Sequence, residues 1–252
     1  MVSRMPSPST APSGAAESVF HAWDPLTILP DERVRAVLRR LHGEADRQVP
    51  GVLLHLLPQL PRMLLGRPID KPGTEHAFAD KYLSIDRAQG AFCYLTARAL
   101  RATTVVEFGT SFGVSTLWLA AAVRDNGGGR VIGTELLPEK ARRAQAHLEE
   151  AGLASFVEIR VGDATQTLRE GLGDVDFMLN DGFPLRALDV LQLVAPAMRP
   201  GAVVVTDNVG VFKADYRDYV RWVRDPRNGF ASMTVPFRSG TEYSVRQAAR
   251  PD

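Results

Sequence analysis

Five acids fall where predicted strands end: Glu107, Glu135, Asp163, Asp181 and Asp207. Gathered on one sheet edge, such carboxylates bind hydroxyls, ammonium groups or metal ions. Glu107 stands just before a glycine-bounded turn, Gly109-Thr110-Ser111-Phe112-Gly113, and an apolar run follows from Leu117 to Val123. The glycines let backbone approach a bound molecule closely. Their spacing is Gly-x-x-x-Gly, not the Gly-x-Gly-x-x-Gly of a dinucleotide site. Glu107 would also repel a pyrophosphate, whereas it suits a cationic ligand. S-adenosylmethionine carries a sulfonium and an ammonium, so the turn favours it over NAD. Glu135 ends the second strand, where a carboxylate accepts from both ribose hydroxyls. Asp163, in Gly162-Asp163-Ala164, is placed to accept from an adenine amino group.

Asp181, Asp207 and Asn208 form a second cluster. Two carboxylates and an amide oxygen are hard ligands of the kind Mg²⁺ takes, with substrate oxygens or waters completing its shell. A metal there would acidify a bound hydroxyl and place its oxygen for in-line attack on a methyl group. On the other account, Asn208 caps a helix or turn and Asp207 is solvated.

The elements that must position these groups alternate. Strands are predicted at 103–108, 130–135, 156–161, 175–180 and 202–206, with helices at 113–124, 138–151, 164–171 and 184–197. Nearly all-apolar strands in a βαβα rhythm mean a parallel sheet covered on both faces. After a helix at 213–224, runs at 230–237 and 241–246 flank Arg238-Ser239-Gly240 and should form an antiparallel hairpin. Upstream, Asp31 caps a helix to about Asp46, a proline-interrupted apolar segment follows, 67–83 reads as loop, and Ser84 starts the next helix. The arginines at 217, 221, 224 and 227 form a helical stripe with interleaved acids, which reads as a solvated face. Trp118 and Cys93 read as core.

The chain has 252 residues, is 45% hydrophobic and 23% charged, and carries a net charge of +1. That balance steers it toward neither nucleic acid nor an anionic membrane. One cysteine excludes an internal disulfide. No signal peptide or membrane span is visible, so the expected location is the cytoplasm. Residues 1–18 read as a disordered tail rich in Ser, Pro, Ala and Gly.

Residues 84–246 resemble the class I S-adenosylmethionine-dependent O-methyltransferases, the group of catechol and caffeoyl-CoA O-methyltransferases. The segments that carry the likeness are Ser84-x-x-x-x-Gln89-Gly90, Glu107 to Ser115, Glu135, Ala151-Gly152-Leu153, Gly162-Asp163-Ala164, Asp181-Gly182, Pro200-Gly201 and Asp207-Asn208-Val209. The resemblance implies a Rossmann-like α/β fold: a mostly parallel seven-stranded sheet, helices on both faces and the C-terminal hairpin. It also implies roles. Ile85 and the Gly109-Thr110-Ser111 turn would line the methionine moiety, and Ser115 would hold its carboxylate. Glu135 would bind ribose, and Asp163 with Ala164 the adenine. Asp181 would serve both the methionine ammonium and a divalent metal, with Asp207 and Asn208 as further ligands. Residues 19–83 would form part of the acceptor pocket, 84–252 the cofactor-binding domain, and the enzyme would be a homodimer methylating a small, phenolic or other hydroxylated acceptor.

One position departs from the family. Metal-dependent members usually carry a lysine three residues after the first metal ligand, as base toward the acceptor hydroxyl; here that residue is Pro184. His76 and Lys81 are the candidates to replace it, and His76 with Asp181 is the expected catalytic pair. The departure also keeps open a metal-independent C- or N-methyltransferase, and further off a non-catalytic S-adenosylmethionine-binding protein.

Overall fold

The structure, a computed structural model, describes residues 23–69 and 84–248. A short 3₁₀ turn, Pro25–Ile28, leads into α1, Glu32–Leu56. That helix runs ten residues beyond the expected end at Asp46. Pro50 inside it returns no N–H to the Asp46 carbonyl, yet the leucines beyond continue the helix. After α2, Leu60–Leu64, the next described helix is α3, Arg87–Ala99. It starts later than Ser84 because Asp86 is the cap. The Asp86 carboxylate accepts from the Gln89 backbone N–H, and the Gln89 side chain accepts from the Asp86 N–H. This reciprocal box needs Gln three residues after the cap, which Ser84 lacks.

The sheet elements follow: β1 Thr104–Phe108, α4 Val114–Asp125, β2 Arg130–Glu135, α5 Pro138–Glu150, β3 Val157–Val161, α6 Ala164–Thr167 and β4 Val175–Asn180. Then come α7 Pro184–Val194, β5 Met198–Thr206, α8 Arg217–Val223, β6 Phe230–Val235 and β7 Thr241–Arg246. The seven strands lie in the order β3-β2-β1-β4-β5-β7-β6. β1 to β5 are parallel, and β7 joins both β5 and β6 antiparallel, as the hairpin reading requires. α6 and α8 are shorter than expected, because their flanks close as turns.

Alternate strand residues face opposite layers, as the two-residue period dictates. Val105, Val131, Phe177 and Val203 pack with α1, α3 and α4; Val106, Ile132, Met178 and Val204 pack with α7 and α8. Gly90 of α3 lies flat on the Trp118 indole, where a Cβ would sit 2.4 Å from Nε1. That Nε1 donates to His42 of α1 at 3.3 Å. Burial holds the His42 pKa down at about 4, which keeps the ring neutral and able to accept. Trp118 and Cys93 are core, as expected. Of the four arginines in the predicted solvated stripe, Arg224 turns inward and pairs with both oxygens of the buried Glu242 on β7. Among the described residues no helix is long and apolar enough to cross a membrane.

Register sets the working edge. Phe108, Thr134, Asn180 and Thr206 lie side by side across four parallel strands. Glu135, Asp181 and Asp207 therefore emerge together, with Glu107 one residue inside. β1 and β4 flank the point where strand order reverses, the place at which open α/β sheets form a ligand crevice.

Candidate functional site

The turn after β1 is bent by three residues of positive φ: Gly109 at 98°, Ser111 at 50° and Gly113 at 84°. A Cβ on Gly109 would stand 2.7 Å from the Asp181 carbonyl oxygen, so only glycine lets this turn close on the loop after β4. The turn is pinned from the next strand. Thr110 N–H donates to the Thr134 carbonyl, and Ser111 N–H donates to Glu135 Oε2 at 2.8 Å. Beneath it Glu107 is fully buried. Its Oε2 accepts from the Thr110 hydroxyl at 3.0 Å and the Thr116 hydroxyl at 2.5 Å. Its Oε1 makes no hydrogen bond to the described residues, and neither does the buried Ser111 hydroxyl. Burial pushes the Glu107 carboxyl up, against the Ser115, Thr116 and Thr110 hydroxyls that favour its charge. Ser115 is buried in the first turn of α4, and Ile85 just ahead of α3.

Glu135 accepts Ser111 N–H on one oxygen and Leu137 N–H on the other. Both backbone donors fix its carboxylate at the β2 edge. Asp163 is different. Its Oδ1 caps α6, taking the backbone N–H and the hydroxyl of Thr165, and these bonds hold its carboxyl low. Ala164 is buried directly behind it.

Asp181 and Asp207 close the other side. Asn208, at φ 64°, donates one amide nitrogen toward Asp181 Oδ1 at 3.4 Å and Asp207 Oδ2 at 3.1 Å. Burial raises both carboxyls, and the charge of Asp207 raises Asp181 further. Among the described residues no group of three His, Cys, Asp or Glu side chains is placed to hold a metal. The trio consists of two acids and an amide. Pro184 opens α7 at its first position, and Gly182 before it lies against the Phe108 ring. His76 and Lys81 lie outside the described residues.

Three polar groups of this half carry no role in the sequence reading. Gln89 Nε2, Ser239 Oγ and Thr241 Oγ1 all converge on Asp207 Oδ1. The Asp86-x-x-Gln89 pattern was a findable signal for the anchoring of Gln89; Ser239 and Thr241 have no local signal. An open groove of about 370 Å³, lined by Thr165, Arg169, Arg186, Asp189 and Leu193, holds none of the strand-end acids. The chemistry of the acids, not that groove, locates the site.

Residues 106–209 match the family model of a methyltransferase domain. A catechol O-methyltransferase of Niastella koreensis is 37% identical over 131 residues, covering 50% of this chain and 58% of that protein. The match thus spans under two thirds of that relative's length. A cofactor-bound protein from MTB superposes with a TM-score of 0.62 at 28% identity, over 71% of this chain and 92% of that one. An O-methyltransferase from Bacillus cereus in complex with SAH gives 0.61 at 24% identity, over 71% and 93%, and speaks for the fold alone. The resemblance read from the strand-end motifs is borne out, and the sheet is that of a class I methyltransferase.

Proposed function

We propose that this chain, which carries a class I methyltransferase domain, transfers the methyl group of S-adenosylmethionine to a hydroxyl of a small phenolic or secondary-metabolite acceptor, assisted by a divalent cation such as Mg²⁺. The observation behind the reading is the crevice between β1 and β4. On one side lies a buried carboxylate with an orphan oxygen, on the other a pair of acids bridged by one amide.

The residues fit a cationic cofactor. Glu107 Oε1 and the Ser111 hydroxyl are buried with no hydrogen-bond partner among the described residues, and such groups in a native site call for a ligand. Glu107 and Asp181 would face the methionine ammonium, Ser115 its carboxylate, and Ile85 with Gly109 to Ser111 its chain. Glu135 would take the ribose hydroxyls, and Asp163 with Ala164 the adenine. The donor set of Asp181, Asp207 and Asn208 also fits a hard cation. Burial raises both carboxyls, the charge of Asp207 raises Asp181 further, and only the Asn208 amide lies between Asp181 Oδ1 and Asp207 Oδ2, so a cation there would neutralise both. When bound, the cation would supply acidity to an acceptor hydroxyl.

In the transfer itself, an acceptor oxygen attacks the methyl carbon in line with the carbon–sulfur bond. The bonding pair stays on sulfur, the sulfonium becomes a neutral thioether, and the hydroxyl proton departs. Asp181 would orient the ammonium end of the cofactor while facing the acceptor side. Pro184 offers no base for the proton, so His76 is the proposed acceptor of it. The hydrogen bonds from Ile69 N–H to Asp215 and from Arg217 to the Gly66 carbonyl support residues 19–83 as a wall of the acceptor pocket. The proposal includes a cytoplasmic homodimer with no nucleic-acid or membrane partner. Pro184 also favours a second reading, metal-independent methylation at carbon or nitrogen.

Calorimetry with S-adenosylmethionine tests the cofactor site. Glu135→Ala removes two charge-assisted hydrogen bonds of about 1.5–3 kcal/mol each, so affinity should fall at least tenfold. Unchanged affinity refutes the ribose assignment, and NAD binding without S-adenosylmethionine binding sinks the reading. Turnover of catechols and indolic amines, with and without chelator, separates the two acceptor chemistries.

A further inference from the structure

We infer that Gln89 is a positioning residue that pins one oxygen of Asp207 and leaves the other to a cation. The inference rests on the metal reading above and extends it to a residue outside the ligand set.

Asp207 is divided between two kinds of partner. Its Oδ1 gathers Gln89 Nε2 at 2.5 Å, Ser239 Oγ at 2.6 Å and Thr241 Oγ1 at 3.2 Å. Its Oδ2 faces Asn208. A carboxylate oxygen with three donors is saturated, so Oδ1 is withdrawn from coordination and Oδ2 is the one offered. The donors come from two separate elements. Ser239 and Thr241 lie at the β6–β7 turn, which is wedged against the loop after Asp207. Gly210 N–H donates to the Ser239 carbonyl, and a Cβ on Gly240 would stand 2.7 Å from Gly210 Cα.

Gln89 reaches the same oxygen from the start of α3, with its amide held at both ends. Oε1 accepts the Asp86 N–H at 3.1 Å, which forces Nε2 to point the other way. There it meets Asp207, Ser239 at 3.0 Å and Thr241 at 2.9 Å, two protons shared among three oxygens. Capping α3 uses only Oε1 and the backbone N–H. The aim of Nε2 at Asp207 is therefore not explained by the helix end. Groups that orient a ligating carboxylate usually set metal affinity by about 10–100-fold.

The test is Mn²⁺ titration of the full-length protein, read from loss of the free-ion electron paramagnetic resonance signal. Gln89→Met keeps the volume and removes the donor. Its Mn²⁺ dissociation constant should rise by about 10–100-fold, with S-adenosylmethionine affinity in the absence of metal unchanged. Asp86→Ala removes the cap carboxylate of α3 but keeps the N–H that anchors Gln89. It should lower the melting temperature and leave Mn²⁺ affinity within about twofold, since the orienting group is intact. Ser239→Ala removes one of the three donors without touching the helix, and should weaken Mn²⁺ binding by less than Gln89→Met. Wild-type Mn²⁺ affinity in Gln89→Met overturns the inference, and so does equal weakening in Asp86→Ala. If Gln89→Met does not fold, Ser239→Ala decides, and unchanged Mn²⁺ affinity there overturns it. Mn²⁺ bound by wild type, lost in Asp207→Ala and kept in Gln89→Met refutes the inference alone. A wild-type protein that binds no Mn²⁺ refutes the metal reading and the inference together.

Discussion

Glu107 and Asp207 are both buried acids at the same sheet edge, but they are held in opposite ways. The partners of Glu107 lie three and nine residues away, inside one strand–turn–helix unit. The partners of Asp207 on Oδ1 lie 118, 32 and 34 residues away, on the start of α3 and the terminal hairpin. The Glu107 carboxylate is held within a single segment. The Asp207 half exists only when the last two strands have joined the sheet. Burial raises the carboxyl in both halves, so each is poised for a positive partner. The difference lies in what can be altered separately. Changes to the hairpin should reach the acceptor half and leave the cofactor half standing.

Asp207→Ala is the strongest way to break that separation. The proposed Lewis acid would be worth several kcal/mol here, or about a thousandfold in rate. Turnover at saturating S-adenosylmethionine should fall by that order while calorimetry finds no loss of cofactor affinity, since removing the Asp207 charge only eases ionisation of Asp181. A joint collapse of both would show that the halves are one unit.

Glu107→Gln probes the other half with a smaller effect. It would remove the proposed charge-assisted bond to the ammonium, about 1.5–3 kcal/mol, so the cofactor should bind some 10–100-fold more weakly. Ligand-free stability should move the opposite way. The folded Glu107 carboxyl lies above its unfolded value of 4.5. Its contribution to stability is therefore full below that value and is lost as pH rises through the raised one. The amide has no such loss. Thermal melts without ligand should show the variant gaining on wild type as pH increases across that window. Bound S-adenosylmethionine, which favours the charged carboxylate, should flatten the wild-type loss. A constant difference at every pH would mean that Glu107 is not held in this way.

The same contrast governs how much of the molecule was legible in its residues. Each of these acids lies at or just past the end of its own strand, so Glu107, Glu135, Asp181 and Asp207 were found by local reading, and parallel pairing brought them to one edge. The hairpin was legible because a short turn joins two strand-like runs. The convergence of Gln89, Ser239 and Thr241 on one oxygen was not, because no spacing encodes a meeting across the closed sheet. The end of α1 was missed for a different reason. Pro50 is a strong local stop signal, and the leucines after it outweigh that signal. Asp163 was legible as a strand-end acid, but its use of Oδ1 to cap α6 depends on the backbone N–H and hydroxyl of Thr165, which face it only once the helix turn has formed. Arg224 looked solvated by pattern, since only the folded hairpin presents Glu242 to it.

The smallest effect is expected at Pro184, on the acceptor side of the divide. Proline suits the first position of α7, where its missing N–H costs nothing and its φ is preset. Phe183 before it makes no side-chain capping bond. Pro184→Lys gives up the preset backbone, about 0.4–1 kcal/mol, and puts a cation at a helix N-terminus, another ~0.3–1 kcal/mol. Together these lower the melting point by a few degrees. In exchange the variant sets an amine three residues beyond Asp181. A cation alone activates chelating vicinal phenols best, because bidentate coordination lowers their pKa most. A simple phenol lacks that help and should respond to an added base. Its turnover in Pro184→Lys should rise severalfold relative to a catechol, well short of the ~10² that a fully positioned base supplies. S-adenosylmethionine affinity should stay at the wild-type value, since the Glu107 half is untouched. A folded variant with an unchanged phenol-to-catechol ratio would mean that proton removal does not limit the reaction. A variant whose cofactor affinity falls tenfold would mean that the two halves communicate through the start of α7.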